Sequence, residues 1–311
     1  IAPCFRDEDA RSDRLYGEFY QLDFEMAFAE EEDVLKLGEY VFRSVFNEFG
    51  KTKLDEDPFV RLSYKESMER FGTDKPDLRN PLEIIDLTDV FEETTFRPFR
   101  GVPVKGIVVE DIASKSNSWF NELGDFAKSI GMSAGVGYFK VNDDMSFVGP
   151  IDKFLTDDER EDLIKVGNLK PQSVIFFIAD RKNAYKFAGQ IRDELGRKLD
   201  LINKDEYKFC IVKDFPMYEW SEEEDKYIFT HNPFSMPQGG MKDLTTKNPE
   251  DILAYQFDFV CNGIEMSSGA VRNHDTEIMK KAFEIAGYEE SEIEKRFKAL
   301  YEAFKYGAPP H

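Results

Sequence analysis

The chain has 311 residues, with 62 acidic and 41 basic side chains for a formal charge of −21, and is 41% hydrophobic and 14% aromatic. That length suggests two domains with a sizeable core, and the composition excludes a chain that is disordered throughout. The charge argues against broad electrostatic attachment to nucleic acid, while no apolar run approaches membrane-spanning length and no basic stretch leads an apolar one as in a secretion signal.

Charged residues of both signs crowd the opening CFRDEDARSDR. Residues 19–28, FYQLDFEMAF, then alternate, which predicts a strand with Tyr20, Leu22, Phe24, Met26 and Phe28 on a core face and Phe19, Gln21, Asp23, Glu25 and Ala27 on the other. The spacing Val34, Leu37, Val41, Val45, Phe49 predicts a helix over 30–49 that Gly50 ends. A charged loop leads to RFGTDKPDLR at 70–79. From about 97 to 215 the pattern becomes that of a self-contained α/β unit. Strands are expected at 102–112, 136–141 and 173–179, with a short one near Ser146, and helices at 117–130, 157–166 and 182–195. Trp119, Leu123, Phe126, Ala127 and Ile130 form a helix stripe, and Thr156 with Glu159 forms a capping box. Gly135 and Gly137 lack the strand and helix context of a phosphate loop and are read as turn glycines. Arg181, Lys182, Lys186, Arg192, Arg197 and Lys198 gather on one predicted helix and its exit, a local basic surface of the kind that is ordinarily just solvated.

After 215 the aromatic style of the first part returns, so the middle unit reads as an insertion that divides the chain into 1–96, 97–215 and 216–311. Three cysteines, Cys4, Cys210 and Cys261, are odd in number and lack Cys-x-x-Cys spacing. They fit buried thiols in a reducing cytoplasm better than a disulfide framework or a zinc knuckle. In YQFDFVCNGIEMSSGAVR, residues 255–272, Asn262-Gly263 signals a hairpin with a two-residue turn. Asp258 and Glu265 then become diagonal neighbours within reach of one cation. A Gly-containing bulge at 267–269 would turn Arg272 to the same face. The alternative is a wet sheet face on which Arg272 merely neutralises the two carboxylates.

FRDEDARSDR with GEFYQLDFEMAF resembles motif 2 of class II aminoacyl-tRNA synthetases in the form found in bacterial aspartyl-tRNA synthetases. RFGTDKPDLR is similar to a signature of that bacterial family, FTHNPFSMP to its substrate-site loop, FDFVCNGIEMSSGAVR to the strand pair before motif 3, and YGAPPH to the start of motif 3. These matches run in order over essentially the whole chain. The resemblance implies an α+β fold: a class II antiparallel sheet flanked by helices, with the α/β unit in the place of the GAD domain. It implies a cytoplasmic aspartate-tRNA ligase that uses ATP and Mg²⁺ to activate L-aspartate for tRNA(Asp), with tRNA(Asn) left open, and that is a homodimer at full length.

By the same resemblance Arg6 would contact the α-phosphate and the reacting carboxylate as the catalytic residue. Asp7 and Glu8 would contact ATP, Glu8 at the adenine. Asp23, with Gln21 nearby, would take the ammonium group of aspartate. Asp258 and Glu265 would carry Mg²⁺, with Glu265 also at ATP. Arg272 would bind the side-chain carboxylate, and His231 is either beside it or simply a loop histidine between prolines. The loop at 15–18 is one residue longer than in many bacterial relatives, so the ATP contact that a Gln makes in their loop is not carried over to a residue here. The chain begins inside motif 2 and stops inside motif 3, which leads to the expectation of a longer parent protein and of weak activity in this piece alone. Two other readings are a tRNA- or amidotransferase-binding module and an aspartate-activating ligase that needs no tRNA.

Overall fold

The computed structural model describes residues 1–6, 17–132 and 135–307. Asp7, Glu8, most of the charged opening and the last residues of YGAPPH lie outside the described residues. From the N-terminus come β1 (Ala2–Phe5), β2 (Glu18–Gln21), α1 (Glu31–Phe49), β3 (Val60–Ser63), α2 (Tyr64–Phe71) and β4 (Ile84–Asp86). Next are β5 (Val104–Val109), α3 (Asn117–Ser129), β6 (Gly137–Val141), β7 (Phe147–Val148), α4 (Asp157–Val166), β8 (Val174–Ala179) and α5 (Ala184–Lys198). The last part holds β9 (Phe209–Pro216), β10 (Tyr218–Ser221), β11 (Lys226–Phe229), α6 (Gly240–Thr246), β12 (Leu253–Cys261), β13 (Ile264–Ala270), α7 (Thr276–Ile285), α8 (Glu290–Arg296) and α9 (Lys298–Phe304).

These elements form two compact units. One comprises residues 1–41, 217–254 and 270–311. Among the described residues its interior includes two apolar clusters, one around Met217, Tyr218, Ile252 and Ala282, the other around Met279, Phe283, Ile293 and Tyr301. Tyr218 is buried and its hydroxyl donates to the Ala282 carbonyl at 2.8 Å, so the ring enters the core without stranding its polar end. Strands β1 and β2 pair only with each other among the described residues. That overturns the expected core face. Regular strand stops at Gln21, and Tyr20, Leu22, Phe24, Met26 and Phe28 are all exposed. An alternating sequence buries a face only when a further strand or layer covers it, and this two-stranded ribbon has neither among the described residues.

The second unit comprises residues 42–216 and 255–269. It holds a four-stranded sheet in the order β13-β12-β9-β3 and a five-stranded sheet in the order β4-β5-β8-β6-β7. The five-stranded sheet is antiparallel in its described pairs and separates two cores. Ile107, Phe120, Leu123, Phe176 and Ile191 fill one, and Phe91, Phe139, Leu163, Ile175 and Phe177 the other. Strand β8, VIFFIA, is buried at every position because layers cover both of its faces. Its edge strand β4 precedes residue 97, where the sequence placed the start of the inserted unit. The expected Thr156–Glu159 capping box is present at the start of α4. In the four-stranded sheet β3 runs parallel to β9, within the mixed α+β architecture expected.

Helix α1 forms as expected, yet its covered stripe is shifted. Phe42 and Phe46 pack on Phe209 at 5.3 and 5.0 Å between ring centroids, while Val45 and Phe49 are exposed. Of the six basic residues expected on one surface, Arg192 is instead fully buried, and Arg197 and Lys198 pair with Glu194 and Glu122. Helical periodicity gives the face of a residue but not what the fold sets against it.

Candidate functional site

The residues that carry chemistry fall into three groups, each inside one unit. The first is on the ribbon. The register pairs Ala2 with Gln21 and Cys4 with Phe19, and the Arg6 amide extends it by donating to the Gly17 carbonyl at 2.8 Å. Cross-strand partners share a face, so Cys4, Arg6, Phe19 and Gln21 project to one side. Arg6 Cζ lies 5.4 Å from the Phe19 ring centroid, and the Cys4 thiol donates to Gln21 Oε1 at 3.4 Å. A cation–π contact restrains the guanidinium without neutralising it, which leaves its donors for an anion. Asp23 lies past the end of β2 and is exposed. Asp7 and Glu8 are outside the described residues. Cys4 is half-buried, unlike the buried Cys210 and Cys261.

The second group stands on the β12–β13 hairpin. Asn262 and Gly263 both have positive φ, 54° and 79°, the backbone required by the two-residue turn expected here. Gly269 in β13 faces the buried Phe257 ring so closely that a Cβ would lie 2.6 Å from its Cε2. Asp258 is 3% exposed and Glu265 is exposed. Between them comes a cation that spacing along the hairpin could not reveal. Lys75 Nζ is 3.6 Å from Asp258 Oδ2, 3.3 Å from Glu265 Oε2 and 2.6 Å from Asp74 Oδ2. Burial, reinforced by the charges of Glu265 and Asp74 and opposed by Lys75, pushes the Asp258 carboxyl up to about 7. Burial works against the Lys75 ammonium, but its bond to Asp74 and the surrounding carboxylates raise its pKa above the usual lysine value.

Lys75 lies in RFGTDKPDLR, a segment whose pattern gives no hint of which later strand it meets. The structure supplies that link. Ser63 caps α2 by accepting from the Glu66 amide, and Gly72, with φ 71°, ends it where any Cβ would collide with the Tyr185 carbonyl. The loop that follows is fixed from α5. Arg192 donates to the carbonyls of Leu82 at 2.5 Å, Asp77 at 2.9 Å and Asn80 at 2.8 Å, and the Asn80 amide donates back to the Arg192 carbonyl at 2.9 Å. Asp258 and Glu265 are therefore held within reach of a single cation. As a hard-oxygen donor pair they fit Mg²⁺, which takes one or two protein carboxylates and fills its octahedron with phosphate oxygens and water. Among the described residues no third His, Cys, Asp or Glu completes a metal-holding group.

The third group lies in the other unit. The backbone of FTHNPFSMP pairs with the segment after β13. Ser235 bridges Arg272, the Met236 amide donates to Val271 at 2.8 Å, and the Asn273 amide donates to Phe234 at 2.7 Å. The expected association of this loop with Arg272 thus comes from a short antiparallel pairing. Arg272 is half-buried, burial lowers its pKa, and among the described residues nothing accepts a hydrogen bond from its guanidinium. His231 is exposed at the start of the loop. His274 is exposed and its Nδ1 is 3.2 Å from the Arg272 carbonyl. Asn273 escaped the sequence reading. It is fully buried, and neither atom of its amide has a partner among the described residues. Such a group costs about 1–3 kcal/mol until something satisfies it.

A family model described as tRNA synthetases class II (D, K and N) matches residues 1–311. An aspartate-tRNA(Asp/Asn) ligase of Ehrlichia chaffeensis is 49% identical over 100% of this chain and 53% of its own length. An aspartate-tRNA ligase of Streptomyces coelicolor is 48% identical over the same shares. The chain spans about half the length of the curated relatives it matches. A solved aspartyl tRNA synthetase from Entamoeba histolytica is 16% identical, with 99% of this chain and 40% of that one covered and a TM-score of 0.38.

Proposed function

Because the chain belongs to the class II tRNA synthetases of the aspartate, lysine and asparagine group, we propose that it carries the part of an aspartate-tRNA ligase that activates L-aspartate with ATP. The products are aspartyl-adenylate and pyrophosphate, and the aspartyl group then passes to tRNA(Asp), with tRNA(Asn) as a second acceptor to be tested. The observation that carries this reading is identity of 49% across the whole chain to a ligase named for aspartate. The cytoplasmic setting, the homodimer at full length and the inserted domain at 97–215 belong to the same proposal.

The α-carboxylate of aspartate attacks the α-phosphorus of ATP as the bond to pyrophosphate breaks, so two anions must meet. Arg6, held by the ribbon and restrained by Phe19, offers its donors to the α-phosphate and the incoming carboxylate. Asp258 and Glu265 would hold Mg²⁺, which when bound offsets charge on the phosphates. Asp7 and Glu8 would meet ATP, and Asp23 with Gln21 the substrate ammonium. Arg272 selects the side chain, because a planar guanidinium gives a carboxylate two charge-assisted hydrogen bonds that an amide cannot return. Its lack of an internal partner among the described residues supports this assignment. His231 would stand beside the bound carboxylate.

The test is ATP–pyrophosphate exchange with a panel of amino acids, alongside calorimetry with a non-hydrolysable aspartyl-adenylate analogue and its asparaginyl counterpart. Exchange with aspartate alone, or analogue binding at least tenfold tighter for the aspartyl form, supports the proposal. Exchange with another amino acid, or no preference between the analogues, overturns it.

A further inference from the structure

The proposed reaction gives no role to Lys75, although its ammonium stands between the two carboxylates assigned to the metal. We propose that Lys75 is a tethered counter-ion that competes with a divalent cation for Asp258 and Glu265 and withdraws to Asp74 when one binds. This rests on the metal-pair reading above.

The distances already describe a shared ion. Lys75 is hydrogen-bonded to Asp74 at 2.6 Å, while Glu265 and Asp258 are held at 3.3 and 3.6 Å, by charge more than by close hydrogen bonds. With all three carboxylates ionised, which for Asp258 requires a pH above about 7, one ammonium leaves two negative charges uncompensated, and a single divalent cation would balance them. Asp74 is not placed to join the pair as a ligand, since the described residues hold no group of three. It can therefore keep Lys75 paired while the hairpin carboxylates turn to metal. Lys75 can make that short move because its charge is carried on a flexible four-carbon stem. Its origin stays put, because Pro76 restricts the Lys75 backbone and Arg192 fixes the carbonyls of Asp77 and Asn80 just beyond. The ammonium then stabilises the carboxylate pair before metal arrives and lowers the pair's affinity for metal.

Mn²⁺ binding, followed by electron paramagnetic resonance of the free ion at fixed pH and ionic strength, tests this on the wild-type chain, Lys75→Met, Lys75→Arg and Asp258→Asn. Lys75→Met should bind Mn²⁺ about tenfold more tightly than wild type. Lys75→Arg, which retains the charge, should stay within about threefold, and Asp258→Asn should lose the site. Without metal the thermal midpoint of Lys75→Met should fall, and Mn²⁺ should restore it. Mere structural damage would weaken binding instead. Equal or weaker binding by a folded Lys75→Met overturns the proposal. If Asp258→Asn still abolishes that binding, the metal pair itself stands. No Mn²⁺ bound by either wild type or Lys75→Met overturns both. Should Lys75→Met fail to fold, Lys75→Gln replaces it under the same criteria.

Discussion

Replacing Arg192 by Met tests whether the fold of the second unit sets the site on its hairpin. The guanidinium is 0% exposed and lies 4.9 Å from the Phe71 ring centroid, with three carbonyls and Asp193 Oδ1, at 3.1 Å, as acceptors. Methionine fills much of the same volume but donates nothing, so the carbonyls of Asp77, Asn80 and Leu82 lose a charged donor inside the protein. Each unsatisfied carbonyl costs about 1–3 kcal/mol. Removing the buried cation also relieves its own desolvation, so the net loss should be about 3–5 kcal/mol rather than the simple sum. For a unit of this size that corresponds to a fall of roughly 6–20 °C in the midpoint of unfolding. The assay is thermal denaturation followed by circular dichroism, paired with Mn²⁺ titration, because the loop that Arg192 holds also carries Lys75. Mn²⁺ binding should shift from the wild-type value as Lys75 loses its fixed origin. A midpoint within about 2 °C of wild type would refute the idea that Arg192 anchors this loop.

Arg272→Lys should lower aspartate-dependent exchange by at least about a hundredfold, since an ammonium cannot reproduce the two-point contact; exchange at the wild-type rate would remove Arg272 from the carboxylate site. Cys210 and Cys261, both pushed up to about 12 chiefly by burial, should resist iodoacetamide at pH 8 in the native chain and react once it is unfolded. The native state holds those protons longer than the unfolded state, whose thiols ionise near about 8.5, so stability should decline as pH rises from there towards 12. Labelling of either thiol in the native chain at pH 8 would contradict this. Gly269→Ala should cost about 1–3 kcal/mol by driving a methyl group into the Phe257 ring, and an unchanged urea midpoint would show that β13 can shift at no cost.

The sequence alone determined the features whose causes are local. Periodicity placed α3, α4 and α5 and the strands between them, with boundaries a few residues off. Two residues, Thr156 and Glu159, were enough to specify a helix start, and Asn262-Gly263 a tight turn. Asp258 and Glu265 could be brought together on paper because a two-residue turn fixes which positions face one another. Arg272 and the FTHNPFSMP loop were legible as a pair only through resemblance, and their antiparallel bridge gives the physical form of that association.

Only the tertiary structure decided the rest, because it depended on which distant segments meet. The alternation from Tyr20 to Phe28 looked like a core strand, but a hydrophobic face is buried only where something packs against it, and these side chains are exposed. Arg192 looked like one more charge on a basic helix until three carbonyls of the 77–82 loop closed around it. Lys75 sat in a loop motif with no visible partner until the β12–β13 hairpin brought two carboxylates to its ammonium. Short-range chemistry is written in neighbouring residues. Burial and charge balance depend on chain segments far apart in the sequence, and so they become readable only once the chain has folded.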